Sequence, residues 1–143
     1  MSETLNSLVE VPPQPIPNED TLGFWEAMEN GRVDVCRCQD CRLWLQPPLE
    51  RCPQCWGETS FERVTGDGII HAFIVVYQPA IPGYRDQLPY AVGLVELVEQ
   101  PGLRLPARIV GIDPTEVRVG QRVTAQIDDL PGGPYKVAVF RPA

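Results

Sequence analysis

The chain has 143 residues, of which 43% are apolar and 22% are charged, a balance typical of one globular domain. Its formal net charge is −7, and Lys136 is its only lysine. This charge disfavours binding to nucleic acid or to an anionic membrane surface, because both are recognised largely through Lys and Arg.

The sequence also lacks the features of a membrane or secreted protein. No segment approaches the roughly 18 to 20 continuous apolar residues that span a bilayer. The first residues are polar and include Glu3, without the basic and apolar regions of a signal peptide. A cytoplasmic location is therefore expected, and in that reducing compartment cysteines are more often metal ligands or free thiols than disulfides.

Residues 1–19 are expected to form a flexible, proline-rich arm, with four prolines between positions 12 and 17. The alternatives are an arm that docks on a partner and the remnant of a former fusion. A short helix is then predicted over residues 20–31, capped by Asp20 or Thr21 and ended by Gly31.

This predicted helix has large apolar side chains for so short a segment. Phe24 and Trp25 share its apolar face by the spacing of a helical turn. Because so short a helix is marginal without tertiary contacts, these rings must be buried somewhere. They either pack on the core of the same chain or are buried against another subunit.

Four cysteines form two pairs, and each pair has two residues between its thiols: Cys38, Cys41, Cys52 and Cys55. This spacing lets both sulfurs of a tight turn face one ion, so that two turns give a tetrahedral four-sulfur site. Thiolates suit zinc or an iron of the rubredoxin kind, and the cytosolic context favours zinc. A four-thiolate site has no open position, so we expect the Zn²⁺ to be structural. A pair of redox dithiols is the alternative.

The cysteine-bearing segment, residues 32–62, is too short to own a core and depends on the metal for its folding. Trp44, Leu45 and Trp56 are expected to pack over the cysteine turns. Cys36 has no place in a closed four-cysteine site and is expected to be an ordinary strand residue.

Residues 63–143 have the pattern of a small closed β-barrel. Short runs rich in β-branched residues alternate with turns that contain Gly and Pro. Strands are predicted at 69–77, 90–98, 103–110, 121–127 and 135–140.

The sequence offers little catalytic machinery. No nucleophile is set beside a base in a known motif, and no Gly-rich phosphate loop is present. His71, the only histidine, lies within a predicted strand, where local hydrogen bonds are expected to satisfy it. A binding or scaffolding module is favoured over an independent enzyme.

These motifs, in this order, resemble the "domain of unknown function 35" family over roughly residues 20–143. The resemblance rests on Phe24-Trp25-Glu26-Ala27, the two cysteine pairs, Gly66-Asp67-Gly68-Ile69-Ile70, Pro89-Tyr90-Ala91-Val92-Gly93-Leu94-Val95-Glu96, Val110-Gly111-Ile112-Asp113-Pro114, Val119-Gly120 and Val139-Phe140-Arg141-Pro142.

The resemblance implies a mainly β protein: a short N-terminal helix, a rubredoxin-like zinc ribbon and a five-stranded OB-fold. Family members associate with acyl-CoA enzymes, namely thiolase-like proteins and MaoC-type hydratases, some of them in steroid side-chain degradation. The implied function is a non-catalytic subunit that stabilises a thiolase-like aldolase and helps to shape its CoA and substrate channel. A thiolase or a MaoC-like enoyl-CoA hydratase is the alternative partner. An OB-fold nucleic-acid binder and a self-contained acyl-CoA enzyme are the alternatives from other classes.

Two loops are candidate contact sites. Tyr84 and Arg85 lie in the long loop 79–89 and are expected to contact CoA or the partner. The loop at 130–135 carries the same expectation, and a proline-stiffened surface loop is the alternative for both. Phe24 and Trp25 are the expected partner interface on the helix.

Overall fold

A three-stranded sheet precedes a closed five-stranded barrel in the computed structural model, which describes residues 11–79 and 81–143. Helix α1 (Leu22–Glu29) comes first, and two single-turn 3₁₀ helices lie at Arg85–Gln87 and Pro114–Glu116. The sheet contains β1 (Asp34–Cys38), β2 (Trp44–Leu45) and β3 (Thr59–Arg63). The barrel contains β4 (Asp67–Val76), β5 (Tyr90–Leu97), β6 (Arg104–Ile109), β7 (Arg122–Asp129) and β8 (Lys136–Pro142). The predicted mainly β architecture is confirmed.

Helix α1 follows a turn that is stabilised by the side chain of Asn18. The side-chain oxygen of Asn18 accepts hydrogen bonds from the backbone N–H groups of Asp20 and Thr21, at 2.9 and 3.0 Å. Thr21 occupies the N-cap position, but its side chain makes no capping bond to the helix. The helix ends as predicted, because Gly31 adopts the left-handed conformation (φ +75°) and its N–H bonds to the Met28 carbonyl.

The small sheet has the strand order β2-β1-β3, and both of its pairings are antiparallel. Cys36 lies opposite Leu45 on one side and opposite Phe61 on the other. Val35 is buried, whereas the side chains of β3 stay exposed or half-buried. β1 is therefore covered on both faces, and Cys38 at its end begins the first cysteine turn.

The barrel closes in the order β4-β5-β6-β8-β7, with β7 pairing back to β4. Every pairing is antiparallel except the one between β6 and β8, where Ile109 lies opposite Phe140. This is a five-stranded OB-type barrel. The buried cluster runs from Phe140 and Ile70 in the barrel to Met28 of α1 and Val35 of β1. Helix, sheet and barrel thus share one hydrophobic core.

Each predicted barrel strand is present, with ends that differ by at most two residues. β4 begins two residues before the predicted start, because Asp67 and Gly68 already pair with β7. Within the two described ranges, no helix has the length and apolar character needed to cross a bilayer.

Candidate metal centre and loop cavity

The four paired cysteines converge on one point. Their Sγ atoms all lie within 4.8 Å of one another, with 3.4 Å between Cys38 and Cys55 and 3.6 Å between Cys41 and Cys52. A zinc ion with Zn–S bonds of about 2.3 Å places its four sulfurs about 3.8 Å apart. The donor set and its spacing therefore fit one tetrahedral metal ion, and the predicted four-cysteine cluster is confirmed.

Backbone N–H groups point at the sulfurs within each cysteine turn. Those of Asp40 and Cys41 both lie 3.4 Å from Cys38 Sγ, and that of Gln54 lies 3.4 Å from Cys52 Sγ. Such donors favour the charged thiolate over the thiol. The two turns are thus arranged to hold anionic ligands.

The residue after the second cysteine of each pair reverses the chain. Arg42 and Trp56 both adopt the left-handed conformation, with φ of +68° and +63°. Trp44 and Leu45 are buried, whereas the prediction that Trp56 packs over the cysteine turns is wrong, since its side chain is 76% exposed. The reversal at Trp56 places this ring in solvent rather than over the cysteine turns.

The pKa values of the two thiols of the first pair, Cys38 and Cys41, are shifted in opposite directions. Burial opposes ionisation of Cys38, but hydrogen bonds from the backbone of Cys41 and Asp40 and from neighbouring thiols lower its pKa to about 6. A backbone hydrogen bond at Leu43 favours ionisation of Cys41, yet burial and the three surrounding cysteines raise its pKa to about 12. Full ionisation of all four sulfurs therefore requires a cation among them.

Cys36 lies apart from this cluster. It is buried on β1, and its Sγ approaches the Leu49 carbonyl oxygen at 3.5 Å. It is not among the four cysteines whose sulfurs converge. Its burial fits the role of an ordinary strand residue.

A second feature, here called the loop cavity, opens at the end of the barrel and has a volume of about 420 Å³. It lies between the β4–β5 loop, whose Ala80 is outside the described residues, and the β7–β8 loop. Its lining is mostly apolar and aromatic and includes Pro12, Tyr84, Tyr90, Arg108, Leu130 and Val139. Tyr84 therefore faces this cavity, whereas Arg85 is exposed at the start of a 3₁₀ turn outside the lining.

Arg108 provides the positive charge of the loop cavity. Its guanidinium carbon lies 5.3 Å from the ring centre of Tyr90 and 5.9 Å from that of Tyr84. One of its terminal N–H groups donates to the Gln87 side chain. Its Nε is buried and has no hydrogen-bond partner among the described residues. A buried donor without an acceptor costs about 1–3 kcal/mol, so this site favours a ligand that brings an oxygen to it.

Two carboxylates on the same lining limit what that ligand can be. Asp129 is paired with Lys136 at 2.6 Å, and Asp128 accepts a hydrogen bond from Gln126 at 2.7 Å. Their negative charge opposes entry of phosphate groups. The cavity is better suited to an apolar group that carries a single oxygen acceptor.

The described part of the arm is seated on the barrel at this cavity. Pro12 is buried and forms part of the lining. The Gln14 side-chain amide donates to the carbonyl oxygens of Pro12 and Pro131, both at 2.9 Å. Residues 11–14 are thereby tied to the β7–β8 loop, whereas residues 1–10 of the predicted arm lie outside the described residues.

Two glycines make this seating possible. A Cβ at Gly83 would lie 2.4 Å from the Pro12 nitrogen, and a Cβ at Gly132 would lie 2.8 Å from Val11 Cβ. Both glycines have positive φ, at +90° and +92°. Glycine is thus required at each of these positions for two reasons: the positive φ of the turn and the close approach of the arm.

The helix rings are only partly covered. Phe24 and Trp25 are half-buried against the shared core, with their ring centres 5.1 Å apart. Trp25 also meets the Tyr135 ring edge-on at 6.2 Å. Packing on the core of the same chain therefore accounts for part of the burial of these rings, and their exposed parts remain available to a partner.

Sequence reasoning missed Tyr90 and Arg108 as parts of a site. Both belong to barrel strands, and neither lies in a binding motif, although Tyr90 is part of a segment that carries the family resemblance. Only the closure of the barrel brings them beside Tyr84. The one signal in the sequence was the length of the loop that carries Tyr84.

The fold and the site together define a class of proteins in which a four-cysteine ribbon is joined to an OB-type barrel. Residues 61–128 match the family described as "ChsH2, C-terminal OB-fold domain". A chain of the solved structure described as "Ltp2-ChsH2(DUF35) aldolase" superposes with a TM-score of 0.82 and 32% identity, over 90% of this chain and 98% of that one. The protein belongs to the DUF35 family.

Other relatives agree with this assignment. The chain is 36% identical to a probable enoyl-CoA hydratase alpha subunit of Thermomonospora curvata and 30% identical to a 3-oxo-4,17-pregnadiene-20-carboxyl-CoA hydratase alpha subunit of Mycobacterium tuberculosis. These matches cover 92% and 82% of this chain but only 40% and 37% of the relatives' lengths. A DUF35-family protein of unknown function from Sulfolobus solfataricus shares the fold, with a TM-score of 0.51, 16% identity and coverage of 84% and 82%.

Proposed function

We propose that this chain is a non-catalytic subunit of an acyl-CoA-processing complex, most simply with a thiolase-like aldolase, in the cytoplasm. The observation that carries this proposal is the likeness to the chain from the Ltp2-ChsH2(DUF35) aldolase, which extends over 98% of that chain. A likeness of this extent covers helix, ribbon and barrel together. It supports a shared mode of assembly rather than a shared barrel alone.

A hydratase is the second candidate partner. Both curated relatives are named as hydratase alpha subunits, and the chain spans about two fifths of their length. A steroid-derived CoA thioester is the substrate class that the name of the second relative suggests. The nucleic-acid alternative stays disfavoured, because the net charge of −7 opposes a phosphate backbone.

The metal in this proposal is one structural Zn²⁺. Cys38, Cys41, Cys52 and Cys55 would fill its four positions, which leaves none for water or substrate. The ion would stabilise the two cysteine turns, residues 38–41 and 52–55, in which only Cys38 and Cys52 are buried. Chemistry on the thioester is therefore assigned to the partner.

The loop cavity is the part of this chain that we assign to the substrate. Tyr84 and Tyr90 would pack on its apolar portion, and Arg108 Nε would donate to an oxygen on it. Arg85, which is exposed outside the cavity, would contact the CoA portion or the partner surface. Binding at this distance from the reacting bond would position the substrate without taking part in the reaction.

The partner surface would include the uncovered sides of Phe24 and Trp25. It would also include Trp56, an exposed ring beside the metal centre. Buried aromatic anchors commonly carry much of the binding energy at protein interfaces. The helix and the second cysteine turn are thus the proposed contact elements.

The test is co-expression of this chain with candidate thiolase-like and hydratase proteins from the same organism. We expect one of them to co-purify and to gain solubility or activity, and we expect this chain alone to leave a CoA thioester unchanged. Tyr84→Ala and Arg85→Ala should each raise the partner's KM for the thioester several-fold, with a smaller effect on kcat. The matched control is Arg122→Ala, an exposed arginine at the start of β7.

Either of two results would overturn the proposal. One is a partner enzyme that shows full activity and an unchanged KM without this chain. The other is turnover of the thioester by the purified chain alone. An equal rise in KM for Arg122→Ala would assign the effect to charge in general rather than to the loop.

A further inference from the structure

The second half of β4 has one edge that no described strand covers. β5 lies along the other edge from Gly68 to Val76. On the open side, β7 pairs only with residues 67–69, and the backbone of Gly120 and Gln121 then bonds to Ile70. No backbone hydrogen bond of the described residues reaches this edge beyond Ile70. Every second residue there directs its N–H and C=O outward.

A β-bulge explains where the edge opens. The pairing with β5 shifts by one residue between Ile70 and Ala72, so His71 is the extra residue. Such a bulge bends its strand and increases the local twist. Because β7 begins at Arg122, opposite Ile69, residues 72–76 of β4 extend beyond the end of that strand.

Apart from the bulge at His71, the open edge lacks the usual protection against pairing. Residues 71–77 contain no charged residue and no proline, although 22% of the chain is charged. Ile74 is 63% exposed and Tyr77 is 64% exposed. By contrast, the outer strand of the small sheet, β3, carries Glu62 and Arg63. Free edges normally carry charges or prolines that prevent pairing with another chain, so an edge without them is suited to such pairing.

We propose that two copies of this protein pair through residues 71–77, antiparallel and edge to edge, about a twofold axis at Ile74. In this register Ile74 faces Ile74 of the second copy, Ala72 faces Val76, and His71 faces Tyr77. No like charges oppose each other in any of these pairs. Val119, which is 65% exposed beside the Gly120–Ile70 contact, would be covered at the margin.

The geometry also selects a closed dimer over a longer assembly. An antiparallel pairing about a twofold axis uses the same edge of both copies and leaves neither open. The other partly open barrel edges in the described chain lie on β6 and β8, which pair with each other only at Ile109 and Phe140. These edges carry charges or a proline, at Arg104, Pro106, Arg108 and Lys136, so they are protected against pairing with another chain. The contact is independent of the proposed acyl-CoA role, since it involves neither the loop cavity nor the metal centre.

The test is sedimentation equilibrium of the full zinc-loaded chain over a series that reaches about 1 mM. We expect the mass to rise from one chain to two and to stop there. Amide exchange at residues 72–76 should slow as the dimer forms. A mass of one chain at every concentration, or growth beyond two, would overturn the proposal.

Charge substitution tests the register. Ile74→Lys places two ammonium groups face to face and should abolish the dimer, as should Ile74→Glu. An equimolar mixture of the two variants should restore it as a heterodimer, which also shows that both variants fold. The control is Ile69→Lys, an exposed isoleucine of the same strand that β5 and β7 already flank, and it should leave the dimer intact. Dimers of Ile74→Lys alone, or a mixture that stays monomeric, would rule out this contact.

Discussion

The side-chain amide of Gln100 forms two hydrogen bonds with the backbone of Trp44. Its oxygen accepts from the Trp44 N–H at 3.0 Å, and its nitrogen donates to the Trp44 carbonyl at 3.1 Å. Gln100 belongs to the turn between β5 and β6, and Trp44 begins β2 of the small sheet. One side chain of the barrel thus satisfies a backbone edge of the ribbon in the way a neighbouring strand would.

This pair predicts a coupling between ribbon and barrel. Gln100→Ala would leave a partly buried N–H and C=O of Trp44 without partners, which should cost about 1–3 kcal/mol of unfolding free energy. Denaturant unfolding measures the loss, and amide exchange at Trp44 locates it. The control is Gln78→Ala, since that glutamine is exposed in the β4–β5 loop. Equal losses for the two variants would remove this role from Gln100.

The metal prediction concerns the four converging cysteines. Replacing Cys38 or Cys52 with Ser should abolish stoichiometric zinc, because each removes one of four ligands from a closed site. Cys36→Ser should keep the full zinc content, since its sulfur lies outside the cluster. Elemental analysis of the purified variants provides the measurement. Loss of zinc from Cys36→Ser, or zinc retained without Cys38, would contradict the assignment.

The same site predicts a response to chelation and acid. A chelator should unfold the two cysteine turns while the barrel persists, because metal binding supplies the folding free energy of the small segment. Acid should release zinc, since each thiolate must be protonated as the metal leaves. Amide exchange resolved along the chain distinguishes the two parts. Uniform exposure of ribbon and barrel after chelation would show that the metal stabilises the whole protein.

Trp25 and Trp56 are both expected to contact the partner, but they differ in their predicted contribution to stability. Trp25→Ala removes a ring that packs on Tyr135 and the core, so it should lower the melting temperature of the isolated chain and also weaken partner binding. Trp56→Ala removes a ring that is 76% exposed, so stability should change by less than about 0.5 kcal/mol while partner affinity falls. Calorimetry and a partner-binding titration measure the two effects. Unchanged partner affinity for both variants would show that neither ring contacts the partner and that Trp25 only stabilises the fold.

The metal ligands and the barrel strands could be predicted from the sequence because their signals are local. Two-residue cysteine spacing places the ligands of one turn, and alternating β-branched residues indicate each strand. The loop cavity could not be predicted, because Tyr84, Tyr90 and Arg108 meet only when the barrel closes. The exposure of Trp56 was missed for another reason: a left-handed backbone at a non-glycine residue has no reliable sequence signal.

The last prediction tests the seating of the arm on the loop cavity. Gly132→Ala would place a Cβ 2.8 Å from Val11 Cβ and should displace the arm. Gly102→Ala is the matched control, because Gly102 also has positive φ (+81°) but no atom within 4 Å of the added Cβ. Both variants carry the strain of a left-handed alanine, about 1 kcal/mol, so the difference between them isolates the contact.

Amide exchange and limited proteolysis at residues 11–17 provide the measurement. We expect faster exchange and cleavage in Gly132→Ala and wild-type behaviour in Gly102→Ala. Adding Val11→Gly to Gly132→Ala removes the side chain that the new methyl group meets, so the double variant should regain part of the protection. Because Pro12 lines the loop cavity, release of the arm should also open the cavity to solvent and speed exchange around Tyr84. Identical exchange in the two alanine variants would show that Gly132 is needed only for the backbone conformation of its turn and not for the contact with the arm.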